Sequence, residues 1–267
     1  MNAGGTWILV RGLGREARHW GPFVKRFRAA FPQAEVRAPD LPGCGLHHRT
    51  RAPTRVADLL ATVRAEALAG QEGATAPEPF GLLGISLGAM VVCEWMRRYP
   101  EEVARAVLIN GSAGDLSAPW ARLRPRAAVR LLCAGFSRDR RIRERWIYRT
   151  TSARPENEDA VSAEWEELAR SCPVSPANVG RQLLAASRFR LGVLPRLPPV
   201  LLLVGARDGL VDPACSAALA GPLGAEVRTH PDAGHDLTLD APDWAVEQVV
   251  SWHRLQEAVS WHRKVTL

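Results

Sequence analysis

Ser86 has the sequence surroundings of a nucleophile. It is the central residue of Gly84-Ile85-Ser86-Leu87-Gly88, which ends an apolar run and has glycine two positions away on each side. A G-x-S-x-G pattern of this kind is typical of a strand that ends in a very tight turn and is followed at once by a helix. The helix N-terminus favours negative charge near the serine. Because a pattern with three fixed positions also arises by chance, a small-residue turn without chemistry is the alternative.

A serine hydroxyl attacks well only when a base removes its proton and a carboxylate orients that base. Asp208 follows an apolar run at residues 200–204, and His235 follows a second β-type run at residues 225–229. Both side chains are therefore expected in loops after late strands. Asp212 is a competing carboxylate, although it falls where the loop turns into the next helix. The other nearby candidates are interpreted as solvated loop charges (Asp232, Asp236, Asp240), a strand-end residue (His230) and residues facing the substrate entrance (His47, His48).

Strands and helices alternate along most of the chain, as expected for a parallel sheet. Strands are predicted at residues 6–10, 35–38, 80–85, 105–109, 200–204 and 225–229. Helices are predicted at residues 22–31, 55–68, 87–99 and 213–223, and from about residue 243. Between residues 112 and 191 the alternation stops, and four successive helices are predicted there. The sequence thus predicts an α/β core in two parts, residues 1–111 and 192–267, around an inserted helical cap at residues 112–191.

Length and composition favour one large domain with an inserted subdomain over two independent domains. The chain has 267 residues, of which 46% are hydrophobic and 24% charged. No apolar run approaches the roughly 20 residues that a membrane span needs, and no signal peptide is visible. The five cysteines are an odd number without C-x-x-C spacing, which argues against a disulfide framework and against a zinc site. We expect a cytoplasmic protein without metal or cofactor.

The chain is basic, with a formal net charge of +7, and its arginines are unevenly placed. Ten arginines lie between residues 122 and 149, against only Asp139 and Glu144. A basic balance favours anionic partners, but no recognisable nucleic-acid-binding motif accompanies it. A solvated face of an arginine-rich chain is the alternative. Apolar positions of the same segment are candidates for lining an acyl pocket or for helix packing: Leu123, Val129, Leu131, Leu132, Phe136, Trp146 and Ile147.

Five short motifs together give the chain a family resemblance. They are R-G-L-G at residues 11–14, D-L-P-G at 40–43, G-I-S-L-G at 84–88, G-A-R-D at 205–208 and A-G-H at 233–235. Each is weak alone, but five in this order, over nearly the whole length, are specific. The chain resembles the α/β-hydrolase superfamily, in particular its esterase, thioesterase and carbon–carbon hydrolase branches, which carry an inserted cap. The resemblance implies an α/β-hydrolase fold with a mostly parallel central sheet.

The resemblance also implies a role for each candidate residue. Ser86 is the nucleophile, His235 the general base and then the general acid, and Asp208 the residue that orients His235. The backbone N–H groups of Leu87 and Leu13 form the oxyanion hole that stabilises the tetrahedral intermediate.

The chain departs from the family at Arg11, because the glycine loop usually opens with His-Gly. Arg11 is expected either to hold the loop through backbone carbonyls or to bring positive charge to the pocket. Arg11 and Trp146 are the candidate substrate-binding residues. Haloalkane dehalogenases and epoxide hydrolases of the superfamily carry an aspartate at the nucleophile position, so Ser86 favours acyl transfer to water.

The expected function is hydrolysis of a carboxylic ester through an acyl-enzyme on Ser86. The resemblance extends to the carrier-protein methyl ester esterases of the biotin pathway, whose cap holds an acidic acyl carrier protein. An acidic carrier at the arginine-rich cap is therefore the expected protein partner, beside a small-molecule ester or acyl-carrier substrate. A thioesterase using the same residues and a non-catalytic hydrolase-fold binding protein are the alternatives.

Overall fold

In the computed structural model, which describes residues 5–69 and 78–265 and side chains up to residue 258, six strands form one parallel sheet. They are β1 (Thr6–Val10), β2 (Glu35–Arg37), β3 (Phe80–Ile85), β4 (Val103–Ile109), β5 (Val200–Gly205) and β6 (Glu226–His230). Their order across the sheet is β2-β1-β3-β4-β5-β6, and every neighbouring pair is parallel. The α/β fold predicted from the sequence is confirmed.

Helices lie between and after the strands. They are α1 (Pro22–Ala30), α2 (Val56–Leu68), α3 (Leu87–Arg98), α4 (Pro119–Arg122), α5 (Pro125–Phe136), α6 (Arg140–Thr151), α7 (Glu158–Ser171), α8 (Pro176–Arg188), α9 (Pro213–Leu223), α10 (Leu237–Asp240) and α11 (Pro242–Val265). Five helices, α4–α8, lie in the segment where four are predicted from the sequence, and α10 is not predicted. A single helical turn, such as α4 or α10, contains too few residues to show a periodicity. Among the described residues, no helix is long and apolar enough to cross a membrane.

Alternate residues of the strands pack into two separate hydrophobic cores, one on each face of the sheet. In β1, Ile8 and Val10 pack into a buried cluster with α2 and α3, whereas Trp7 and Leu9 pack with α1 and α11 on the other face. Successive side chains of a strand point to opposite faces, so one short strand serves both cores. Strands β3 and β5 are buried at every position, which explains why their sequences are almost wholly apolar.

Helices α4–α8 lie between β4 and β5 in sequence and contact the loops at the carboxyl ends of the strands. Gln182 of α8 accepts a hydrogen bond from Gly14 N at 2.9 Å and donates one to Pro42 O at 2.9 Å. Before α5, Arg124 donates to the carbonyl oxygen of Asp208 at 2.8 Å. These three loops follow β1, β2 and β5, so the inserted helices cover the edge of the sheet where the candidate residues lie.

Candidate active site

Ser86 lies at a sharp turn between β3 and α3. Its backbone dihedral angles are φ 57° and ψ −117°, a conformation that residues with a side chain rarely adopt. A Cβ on Gly84 would lie 2.4 Å from the carbonyl oxygen of Gly88, and a Cβ on Gly88 would lie 2.1 Å from that of Val10. Both flanking glycines are therefore required by the close approach of backbone to backbone around the serine.

The glycine loop after β1 adjoins Ser86. A Cβ on Gly12 would lie 3.2 Å from Ser86 Cβ, and the loop turns through a bond from Arg15 N to Gly12 O at 3.2 Å. Within the described residues, the N–H groups of Leu13 and Leu87 have no acceptor. Leu87 is the first residue of α3, where helix geometry leaves the N–H free. Two free N–H groups thus belong to the two loops that meet at the serine.

Asp208 and His235 form a buried hydrogen-bonded pair at the ends of β5 and β6. His235 Nδ1 lies 2.6 Å from Asp208 Oδ2, and the two side chains are 5% and 1% exposed. The other carboxylate oxygen accepts N–H groups from Leu210 at 2.8 Å and Val211 at 2.9 Å. Since a carboxylate only accepts, Nδ1 carries the proton and Nε2 is left as the basic nitrogen. In the described part of the chain, this buried Nε2 has no hydrogen-bond partner.

Asp212 is not the carboxylate that contacts His235. It caps the N-terminus of α9, where its Oδ1 accepts a hydrogen bond from Ala214 N at 3.0 Å. Of the two predicted alternatives, the structure therefore brings Asp208, and not Asp212, to the imidazole. His230 is the last residue of β6, which confirms its interpretation as a strand-end residue.

Asn110 contacts the site and was missed by the sequence analysis. It follows β4 with φ 48°, and its Nδ2 donates to the carbonyl oxygens of Gly234 at 3.2 Å and His235 at 2.8 Å. Its Oδ1 accepts from Gly205 N at 2.9 Å. Asn110 thereby joins the ends of β4 and β5 to the loop of His235. An asparagine directly after a strand and before a glycine is the sequence signal, because asparagine tolerates positive φ better than most residues.

Two carboxylates interpreted as solvated loop charges are bonded within the protein; Asp236 is buried and Asp240 is half-buried. Asp236 is 4% exposed and pairs with Arg11. Asp240 accepts hydrogen bonds from Gly234 N at 2.7 Å and Ser152 Oγ at 2.5 Å. Both interpretations are wrong. The partners Arg11 and Ser152 lie 225 and 88 positions away, so local sequence carries no sign of them.

Arg11 is buried and its charge is compensated by Asp236. The guanidinium Nη1 and Nη2 lie 3.2 Å and 2.5 Å from the two carboxylate oxygens, and Nη1 also donates to Thr238 Oγ1 at 3.3 Å. Burial raises the pKa of Asp236, but Arg11 lowers it, and the net pKa lies below the usual value. The prediction that Arg11 bonds backbone carbonyls is wrong, because a carboxylate and a hydroxyl take its two terminal nitrogens.

The remaining candidate residues have other contacts. Trp146 is half-buried on α6, and the Arg149 guanidinium lies 5.8 Å from the centre of its ring. His47 contacts Glu66 of α2, and His48 bonds within its own loop. In the described part of the chain, no group of three or more His, Cys, Asp or Glu residues is placed to hold a metal ion.

Helix α5 presents apolar side chains to solvent. Val129, Leu132 and Phe136 are 59%, 60% and 84% exposed, so the prediction that they line an acyl pocket is wrong. Exposed arginines accompany them, and within the described residues these have no hydrogen-bond or ion-pair partner: Arg126, Arg138, Arg140 and Arg141. We call these seven residues the α5–α6 surface. It combines exposed apolar side chains with four exposed arginines.

The sequence is similar to the sequences of known proteins. The chain matches the Alpha/beta hydrolase family over residues 7–248. It is 30% identical over 217 residues to a pimeloyl-[acyl-carrier protein] methyl ester esterase of Methylococcus capsulatus, covering 80% of each chain. It is 28% identical over 247 residues to a protein of the same name from Aromatoleum aromaticum, covering 88% of this chain and 93% of that one.

Among solved structures, an esterase from a Rhodococcus species superposes with a TM-score of 0.70 at 23% sequence identity, covering 94% of this chain and 91% of that one. At this level of identity the likeness concerns the fold. The chain belongs to the Alpha/beta hydrolase family, and the family resemblance inferred from the sequence motifs is confirmed.

Proposed function

We propose that the protein is a serine hydrolase that cleaves a carboxylic ester through an acyl-enzyme on Ser86. The observation that carries this proposal is the buried Asp208–His235 pair, joined by a 2.6 Å contact at Nδ1, in which the imidazole Nε2 has no hydrogen-bond partner among the described residues. The strained turn that holds Ser86 at the end of β3 is typical of a nucleophile in this family. The esterases among the relatives support the same reaction class.

In the proposed acylation, His235 Nε2 accepts the proton of Ser86 Oγ as that oxygen attacks the ester carbonyl carbon. The N–H groups of Leu13 and Leu87 donate to the oxyanion of the tetrahedral intermediate. The imidazolium, stabilised by ionised Asp208, then protonates the leaving alcohol. Water attacks the acyl-enzyme after giving a proton to the same nitrogen. The acid is released, and the proton returns to Ser86 Oγ.

For the substrate, we propose an ester carried on an acidic acyl carrier protein. The two relatives are named for esters of this kind. The α5–α6 surface supports the proposal, because among the described residues its four arginines have no acidic partner and its apolar side chains are exposed. Positive and apolar groups together complement an acidic, partly apolar protein surface and speed its encounter.

We also propose that the protein works in the cytoplasm. All five cysteines are free thiols, and Cys133 is exposed on α5. Unpaired exposed thiols suit a reducing compartment, where disulfides are rare.

Labelling with a fluorophosphonate, combined with a panel of p-nitrophenyl esters and acyl thioesters, tests the serine chemistry. We expect stoichiometric labelling and ester hydrolysis by the wild type and neither by Ser86→Ala. Ser216→Ala is the control, because Ser216 is a buried serine away from the candidate site that donates to Gly111 O at 3.0 Å. It should keep both properties.

Other outcomes would point to other functions. Folded wild-type protein that takes up no label would favour a non-catalytic binding protein. Faster turnover of thioesters than of matched oxygen esters would favour a thioesterase using the same residues.

A further inference from the structure

We propose that the ion pair between Arg11 and Asp236 positions the reacting groups, by holding the oxyanion loop and the His235 loop in one fixed arrangement. This inference rests on the proposed function. Arg11 stands two positions before Leu13, and Asp236 directly follows His235. One side-chain contact therefore links the loop that would bind the oxyanion to the loop that carries the base.

The contact fixes the relative orientation of the two loops as well as the distance between them. The two terminal guanidinium nitrogens face the two carboxylate oxygens at 3.2 Å and 2.5 Å, a fork-to-fork geometry that only one relative orientation allows. Thr238 braces the pair, because its Oγ1 donates to Asp236 Oδ1 at 2.9 Å and accepts from Arg11 Nη1 at 3.3 Å. Both charged side chains are only 5% exposed, so water does not compete for these bonds.

Other contacts hold each residue of the ion pair in place. Arg11 follows β1 directly, and its guanidinium lies 4.8 Å from the centre of the Trp20 ring. The backbone N–H of Asp236 donates to Thr151 O at 2.8 Å, at the last residue of α6. On the preceding residue, Asn110 bonds the carbonyl oxygen of His235 at 2.8 Å. The base is thus restrained at its carbonyl and at the next residue along the chain.

Stability alone is a poor explanation for such a pair. Removing two charges from water largely offsets their attraction, so a buried ion pair is weak evidence of stabilisation. A second pair serves as a comparison: Glu102 is 7% exposed and bonds Arg64 and the indole nitrogen of Trp95. Glu102 precedes β4, so it lies at the opposite edge of the sheet from Ser86, about 20 Å away along a strand of this length.

Steady-state kinetics of Asp236→Asn on a small p-nitrophenyl ester test the positioning role, with rates divided by the concentration of fluorophosphonate-labelled sites. We expect kcat to fall about 10- to 100-fold while KM stays within about 2-fold, because misplacement by about 1 Å can cost about 100-fold in rate. Glu102→Gln is the control. It should lower the melting temperature by a comparable amount and leave kcat per labelled site at the wild-type value.

A double variant provides a second test in case the single variant Asp236→Asn folds poorly. Arg11→Gln with Asp236→Asn removes both charges and keeps hydrogen-bonding groups, so it should fold and recover part of the kcat lost in Asp236→Asn. A wild-type kcat per labelled site in Asp236→Asn would overturn the positioning role. If Asp236→Asn yields no folded protein, a wild-type kcat per labelled site in the double variant would overturn it. Failure of the proposed function is distinct, because it appears in the wild type as absence of labelling.

Discussion

Ser86 and Asn110 share a conformational property that sets them apart. In the described part of the chain they are the two non-glycine residues with positive φ, at 57° and 48°. They follow the neighbouring strands β3 and β4, at the edge that carries the candidate site. Strained backbone persists only where the surroundings hold it. Here Ser86 N donates to Ile109 O at 2.9 Å, and the Asn110 side chain bonds the carbonyl oxygen of His235 at 2.8 Å.

The choice between Asp208 and Asp212 gives a matched pair of substitutions. Asp208→Asn should lower kcat about 10⁴-fold, because an amide there selects the wrong imidazole tautomer. Asp212→Asn should keep kcat within about 2-fold, since asparagine caps a helix as well as aspartate does. Ester hydrolysis and melting temperature measure both. A larger loss of kcat in Asp212→Asn than in Asp208→Asn would make Asp212 the orienting carboxylate.

Sequence reasoning reached some site residues and not others for a physical reason. Ser86 and Asp208 follow apolar runs, and His235 follows a short β-type run, so local patterns predict that all three lie after strands. The pairing of Arg11 with Asp236 depends on β1 and β6 loops meeting across 225 positions of sequence. Nothing adjacent to either residue reveals that contact.

At the scale of secondary structure, the site depends on how closely β1, β3 and α3 approach one another. The Gly88 position in the first turn of α3 touches the backbone of β1, because a Cβ there would lie 2.1 Å from Val10 O. Since the glycine loop continues directly from Val10, any displacement of β1 moves the predicted oxyanion donor. The packing of β1, β3 and α3 thus sets the positions of the glycine loop and of the turn at Ser86.

Gly88→Ala tests this packing against Gly180→Ala on α8. We expect Gly88→Ala to destabilise the protein by about 3 kcal/mol, as forced overpacking does, and to slow Ser86 labelling. A Cβ on Gly180 meets nothing within 4 Å, so Gly180→Ala should stabilise the helix by about 0.5 to 1 kcal/mol. Urea denaturation and labelling rates give the comparison. A wild-type midpoint for Gly88→Ala would contradict the close packing.

Helix α5 shows where prediction from periodicity stops. Val129, Leu132 and Phe136 share one face of this helix, because 3.6 residues complete a turn. Periodicity does not tell what covers that face, and in this protein it is exposed. Strands β3 and β5 were easier to predict, since burial on both faces makes nearly every residue apolar.

Across the whole molecule, positive charge is concentrated on the inserted helices. Among the ten arginines between residues 122 and 149, several are used internally; Arg145, for example, pairs with Asp159, and Arg149 with Glu158. The four arginines of the α5–α6 surface are exposed and have no ion-pair partner in the part of the chain that the structure describes. The formal net charge is +7, so the proposed acidic carrier would be attracted to this surface, and the attraction would weaken as the salt concentration rises.

Replacing the four arginines of the α5–α6 surface by glutamate should weaken use of a carrier-bound ester. We expect KM for an acyl-carrier ester to rise about 10- to 100-fold at low salt, because steering and contact charges are lost. The KM for a small p-nitrophenyl ester should not change. Arg196→Glu with Arg254→Glu, two exposed arginines elsewhere, is the control. Equal effects of the two variants, or an unchanged KM for the carrier ester, would count against docking at this surface.

The bonds of Asn110 also bear on how the protein is made. Asn110 precedes α4, whereas its partners Gly205 and His235 follow α8, so the contact joins early and late parts of the nascent chain. At ribosomal rates of about 5 to 20 residues per second, the roughly 150 residues between Ser86 and His235 take about 7 to 30 s to appear. During that interval Ser86 is present without His235, its proposed base. Hydrolysis by the proposed mechanism therefore has to await the synthesis of helices α4–α8 and of the chain that follows them.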